Sequence, residues 1–257
     1  MFYQIFQYVK FLLKSTNQHG VHSPFVYDLV TKCFYDRTRY PEYFKIKDFI
    51  TRLKRVKLKL DVTDFGAGSK KLNTEQRKVS NIAKVSGTTV KRAKLLFRVV
   101  KYFEFQSILE LGTSLGFSSQ AMSKGNPDAK IDTIEGCPNI SKYTKKHFQM
   151  LCLDNINVIT GNIDEKLEDL SSKTYDLVFF DGNHQKAPTL YYFETLLPTA
   201  HNDTVFIFDD IYWSKDMTEA WDIIKHHPKV SITIDTFYWG FVFFRKEQAK
   251  EHFLIRV

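Results

Sequence analysis

From residue 107 onward, short apolar runs alternate with stretches of helical spacing, and this alternation constrains the fold more than any other feature of the chain. The runs are SILEL (107–111), KIDTIE (130–135), INVIT (156–160), YDLVFF (175–180) and TVFIF (204–208). Helical periodicity fills the intervals at 117–123, 140–153, 188–197 and 217–226. Strand, helix, strand in repetition means right-handed βαβ units and a parallel sheet covered on both faces. The alternation breaks at the end, where VSITID (230–235) meets FYWGFVFFRK (237–246) with no room for a crossover helix. Two strands that close must pair as an antiparallel hairpin. The expected class is therefore α/β: a Rossmann-like, seven-stranded, mostly parallel sheet with a C-terminal antiparallel hairpin and helices on both faces. A helix at 90–103 leads into its first strand.

The first 75 residues read differently. HGVHSPF, RTRYPEY and DFGAGSK are turn-rich and lie among helical pieces near 2–14 and 25–36. They suggest a mainly helical N-terminal cap over 1–75, with the Rossmann-like domain over 76–257. The chain is 43% hydrophobic and 26% charged, which excludes a disordered polymer. Its 37 Lys and Arg exceed its 29 Asp and Glu, for a net charge of +8. The basic residues are spread out, with the densest tract at 45–59 (KIKDFITRLKRVKLK). A solvated surface is the simpler reading of that tract, and phosphate binding is the other. Cys33, Cys137 and Cys152 are odd in number and lack metal-site spacing, so they read as reduced thiols of a cytoplasmic protein. The N-terminus MFYQIFQYVKFLLKS is apolar at helical spacing but broken by Gln4, Gln7 and Lys10, and it is too short to span a bilayer. We expect an amphipathic helix that docks on the domain or a partner, a soluble chain and no membrane partner.

The chemistry-bearing residues gather at predicted strand ends. In ILELGTSLGFSS (108–119) a buried strand runs into Gly112, Thr113, Ser114, Leu115 and Gly116 before a helix begins. The glycines permit a tight turn, and Thr113 and Ser114 offer hydroxyls and N–H groups at a helix N-terminus. Glu110 can accept hydrogen bonds from a cationic amine. Alone, this is also what any tight β–α connection looks like. The second predicted strand, however, ends on Glu135, 19 residues after Gly116, where an acid can hold a ribose diol. INVITGN puts Asn162 after the third strand, near where an adenine edge would lie, although Gly-Asn is also a good turn. YDLVFFDGNH leaves Asp181 and His184 after the fourth strand, and TVFIFDDIYW leaves Asp209 and Asp210 after the fifth. Three neighbouring carboxylates repel unless a cation, a ligand or a proton compensates, and oxygen donors suit Mg²⁺ or another divalent cation. Capping or loop anchoring is the plainer role for each.

ELGTSLG, TIEG, FFDGNH and FDD in this order resemble class I S-adenosylmethionine-dependent methyltransferases. The similarity is greatest to small O-methyltransferases of the catechol and metal-dependent sugar kinds, over about residues 88–245. The resemblance implies that Glu110, Gly112, Thr113, Ser114 and Gly116 hold the methionine end of S-adenosylmethionine. It further implies that Glu135 and Gly136 hold the ribose, that Asn162 lies by the adenine, and that Asp181 borders the cofactor. Asp181, Asp209 and Asp210 match the metal carboxylates, and His184, with Asp181, the catalytic position. The implied reaction is in-line methyl transfer to a hydroxyl of a small-molecule acceptor, with a homodimer as one assembly. Two departures stand out: Ser114 replaces a frequent third glycine, and Asp210 stands where catechol-type enzymes commonly carry Asn.

Two other readings stay open. One is a nucleic-acid-binding protein or RNA-directed methyltransferase using 45–59. The other is an NAD-dependent Rossmann oxidoreductase, which lacks support from a full G-x-G-x-x-G turn. DFGAGS (64–69) is a decoy, because the preceding RVKLKLDV is charged on every second residue and cannot be a buried central strand. His19 and His22 sit in a Pro/Gly turn with no nearby acid, and His226 and His227 suit a helix C-terminus.

Overall fold

Each run of alternating or periodic apolar residues becomes the element its spacing dictates. The computed structural model describes residues 2–63, 76–85 and 88–257, so DFGAGS lies outside the described residues. The helices are α1 (Phe2–Lys14), α2 (Pro24–Leu29), α3 (Glu42–Leu53), α4 (Val79–Val85) and α5 (Val90–Phe103). They continue with α6 (Phe117–Gly125), α7 (Pro138–Met150), α8 (Ile163–Leu170), α9 (Lys186–Leu196) and α10 (Lys215–His226). The strands are β1 (Lys59–Asp61), β2 (Gln76–Lys78), β3 (Ser107–Leu111), β4 (Lys130–Glu135) and β5 (Ile156–Thr160). They continue with β6 (Tyr175–Phe180), β7 (Ala200–Asp209), β8 (Ile232–Asp235), β9 (Trp239–Phe243) and β10 (Glu251–Leu254). The class is mixed α/β, with mostly parallel strands flanked by helices.

The chain divides into two units, residues 36–166 and residues 1–35 with 167–257. In the first, β3, β4 and β5 pair in parallel, Glu110 opposite Thr133 and Glu135 opposite Thr160. The basic tract at 45–59 is mostly α3, whose Ile46, Phe49, Ile50 and Leu53 are buried at helical spacing. They join a core with Ile82, Phe97, Phe117 and Phe148. Lys45 and Lys47 therefore sit on the exposed face of a packed helix, while Lys54, Lys57 and Lys59 follow it into β1. RVKLKLDV supplies only the short β1, which pairs antiparallel with β2 and has no buried residue.

In the second unit β6 and β7 are parallel, and β9 runs antiparallel to both β7 and β8. This is the expected closing hairpin. A further strand, β10, lies beyond the expected hairpin and pairs parallel with β8. EHFL is short, and its alternation is hidden by a charged, exposed start, which is why the sequence pattern does not disclose it. Residues 15–35 are joined to this edge. Thr16 bridges Ile255, Tyr35 Oη donates to the Arg256 carbonyl at 2.6 Å, and the Phe25 and Phe34 rings meet Phe243 and Phe241. Gly240 on β9 is needed because a Cβ there would lie 2.6 Å from the Trp221 ring of α10.

Candidate active site

In the unit of residues 36–166, the β3–α6 turn is built on backbone that ordinary side chains avoid. Gly112 has φ 106°, Ser114 φ 46° and Gly116 φ 77°. Gly116 is also fixed by packing, since a Cβ would intrude on the Phe148 ring of α7. Its glycine thus serves the helix behind the turn as well as the turn itself. The N–H groups of Gly112 and Thr113 both donate to the Ile134 carbonyl of β4, at 3.1 and 2.9 Å. Thr144 Oγ1 donates to the Ser114 carbonyl at 2.8 Å.

Glu135 ties this turn to the next strand end. Its Oε2 accepts from the Ser114 N–H and its Oε1 from the Cys137 N–H, both at 2.8 Å. These two bonds orient the carboxylate at the end of β4. Glu110 is fully buried beneath the turn. Its Oε2 accepts from Ser119 Oγ and, at 2.6 Å, from Thr133 Oγ1, while its Oε1 has no hydrogen-bond partner among the described residues. Burial pushes its carboxyl up to about 7, against the pull of the Ser118, Ser119 and Thr133 hydroxyls, and the Glu135 charge adds to the rise. Asn162 works as a cap, its Oδ1 accepting from the Asp164 N–H at 3.3 Å in the first turn of α8. Gly136 follows Glu135 in the bend before α7.

Apolar patterning does not single out Thr133 and Ser119. Thr133 sits two residues before Glu135 on the same face of β4, so the strand's period of two puts a buried hydroxyl in line with the half-buried acid. Thr133 also shares a 2.6 Å hydrogen bond with Thr113 Oγ1.

In the other unit, Asp181, His184 and Asp209 converge, each offering a ligand atom within 4.8 Å of the others. His184 Nε2 is 3.9 Å from Asp181 Oδ1. Asp209 is buried at the end of β7 opposite Trp239, whose Nε1–H donates to its Oδ1 at 2.7 Å. Trp239 is a third residue that the sequence does not disclose, because only the hairpin register brings it there. The converging set differs from the expected carboxylate trio. His184 is its third member, and Asp210 stands outside it, one residue past the strand in left-handed backbone (φ 53°). Asn183, also left-handed at φ 52°, donates from Nδ2 to Tyr192 Oη at 3.3 Å.

Residues 109–211 match the family model of a methyltransferase domain. The strand ends that carry these residues lie within that matched segment. A catechol O-methyltransferase of Mycobacterium tuberculosis is 24% identical over 125 residues, covering 48% of this chain and 56% of that relative. The chain thus spans little more than half the length of the curated relative it matches. Among solved structures, the Podospora anserina methyltransferase PaMTH1 with SAH bound is 13% identical, with a TM-score of 0.61 over 88% of this chain and 97% of that one. A Bacillus cereus O-methyltransferase in complex with SAH is 17% identical, with a TM-score of 0.55 over 82% and 93%. The fold is the one these methyltransferases share. The matches favour neither the oxidoreductase nor the nucleic-acid reading.

Proposed function

We propose that the chain is an S-adenosylmethionine-dependent O-methyltransferase acting on a hydroxyl of a small molecule. The observation that carries this reading is the pair of carboxylates around the β3–α6 turn. Glu135 is oriented by two backbone N–H groups, and Glu110 is buried with one oxygen unsatisfied. An orphaned buried acceptor is costly unless a donor arrives, and the cofactor's ammonium end supplies one. Glu135 takes the ribose hydroxyls, Gly112 to Gly116 give close backbone approach, and Asn162 serves the adenine end from its capping position.

S-adenosylmethionine, when bound, supplies a methyl group on a positively charged sulfur. The chain's own part is to align an acceptor oxygen with that carbon and to take up its proton. His184 is the proton acceptor in this reading, with Asp181 Oδ1 3.9 Å from its Nε2. Asp181 and Asp209 would hold a divalent cation that lowers the acceptor hydroxyl's pKa, with His184 beside them left to take the proton. Two carboxylates suit Mg²⁺ or Mn²⁺.

Calorimetric titration with S-adenosylmethionine tests the reading. Micromolar binding that weakens by roughly tenfold or more in Glu135→Ala is expected, from the loss of a bidentate diol contact. His184→Ala should bind the cofactor as the wild type does while losing turnover. A folded sample that shows no cofactor binding overturns the proposal.

A further inference from the structure

Helix α1 presents its faces in reverse. Its polar side chains turn toward protein: Tyr3 Oη donates to Thr218 Oγ1 at 2.8 Å, Gln7 Nε2 to Tyr3 Oη at 2.9 Å, and Gln4 Nε2 to the Trp213 carbonyl at 3.3 Å. Phe11 is its one buried residue. Phe2, Ile5, Phe6, Val9 and Leu13 form a stripe at i, i+3, i+4, i+7 and i+11, with exposures of 92, 55, 58, 50 and 82%. A surface helix normally buries such a stripe and shows its glutamines to water. An apolar patch of this kind marks an interaction surface.

The surroundings of the stripe indicate what covers it. The helix has no acidic residue, and its charges are Lys10 and Lys14. Lys10 Nζ lies 4.5 Å from the Phe6 ring centroid, so positive charge borders the apolar stripe. Trp213, 40% exposed, is held to α1 through Gln4, and Tyr8, 42% exposed, meets the Phe237 ring at 4.8 Å. Tyr238, 51% exposed, also meets Phe237, at 5.1 Å. Lysine, tryptophan and tyrosine around an apolar stripe are the side chains that settle at the headgroup level of a bilayer.

We propose that α1 docks this unit flat on an anionic lipid surface. The stripe of Phe2, Ile5, Phe6, Val9 and Leu13 enters the acyl boundary, and Lys10 and Lys14 reach the phosphates. Spanning is a different matter: among the described residues no helix is long and apolar enough to cross a membrane. A second copy of the chain fits less well, because a symmetric α1–α1 contact brings lysines together with no acid on either helix to answer them. An anionic surface answers all of them at once.

The test is co-sedimentation of the full chain with sucrose-loaded vesicles of phosphatidylcholine, alone or with about one third phosphatidylglycerol. Trp213 gives a second readout, since Trp221 and Trp239 are buried and the emission shift on binding reports the exposed indole. The expected result is sedimentation with the anionic vesicles, weakened by salt, and a blue shift. Phe6→Ser/Leu13→Ser changes only exposed side chains, so its circular dichroism should match wild type while its vesicle affinity falls by roughly tenfold or more. Lys10→Glu/Lys14→Glu should abolish the preference for anionic vesicles. Absence of sedimentation with either vesicle overturns the proposal. So does a dimer, seen by light scattering in lipid-free buffer, that Phe6→Ser/Leu13→Ser returns to monomer.

Discussion

Glu110 shows how one buried group sets both chemistry and stability. Its folded pKa, about 7, lies above its ordinary value of 4.5, so the fold prefers the neutral acid. The stability this represents is fully present below pH 4.5 and is lost as pH rises through about 7, for a total on the order of 3 kcal/mol. Glu110→Gln keeps the shape and removes the ionisation. Its thermal midpoint should exceed wild type at pH 8 and approach it at pH 5, and parallel calorimetric scans at the two pH values check this. A constant offset between the proteins would mean that Glu110 does not titrate across this range. That Glu110 and Glu135 end adjacent strands was legible from the alternation of apolar runs. That Ser119 and Thr133 satisfy one oxygen of Glu110, and that Trp239 reaches Asp209, was not. Those contacts depend on strand register and helix rotation, which a pattern of apolar residues does not specify.

At the scale of elements, β3 to β6, α1 and α5 coincide with the runs that periodicity marks, because the apolar spacing there follows the period of the element throughout. The elements that periodicity misses carry weaker marks. The apolar stripe of α3 is interrupted by lysines, α8 is a short acidic helix, and β10 follows a turn within a few residues of the hairpin. The β9–α10 contact offers an element-scale prediction. Gly240→Ala drives a methyl into the Trp221 ring, which is fully buried and cannot withdraw. The expected loss is about 1–3 kcal/mol by denaturant titration. Combining it with Trp221→Phe should recover part of that loss relative to additivity, because the two side chains contend for one volume.

For the whole molecule, the cofactor reading predicts linkage between binding and unfolding. A ligand held by the folded state at a hundred times its dissociation constant adds about 2.7 kcal/mol. For a chain of this length S-adenosylmethionine at that level should raise the thermal midpoint by about 5–10 °C. Glu135→Ala should lose most of the rise, and differential scanning fluorimetry with and without cofactor measures both.

Synthesis separates in time what the fold joins in space. Residues 36–166 form a continuous unit, whereas residues 1–35 belong with 167–257. Thr16 finds its backbone partners at Leu254 and Arg256, more than two hundred positions further along the chain. At about 5–20 residues per second, that edge is translated on the order of 10–50 s after Thr16 emerges. For most of that interval, until residues 213–218 are made, α1 has neither Thr218 nor Trp213 to hold its polar side. A segment made before its partners must wait for them to acquire these contacts.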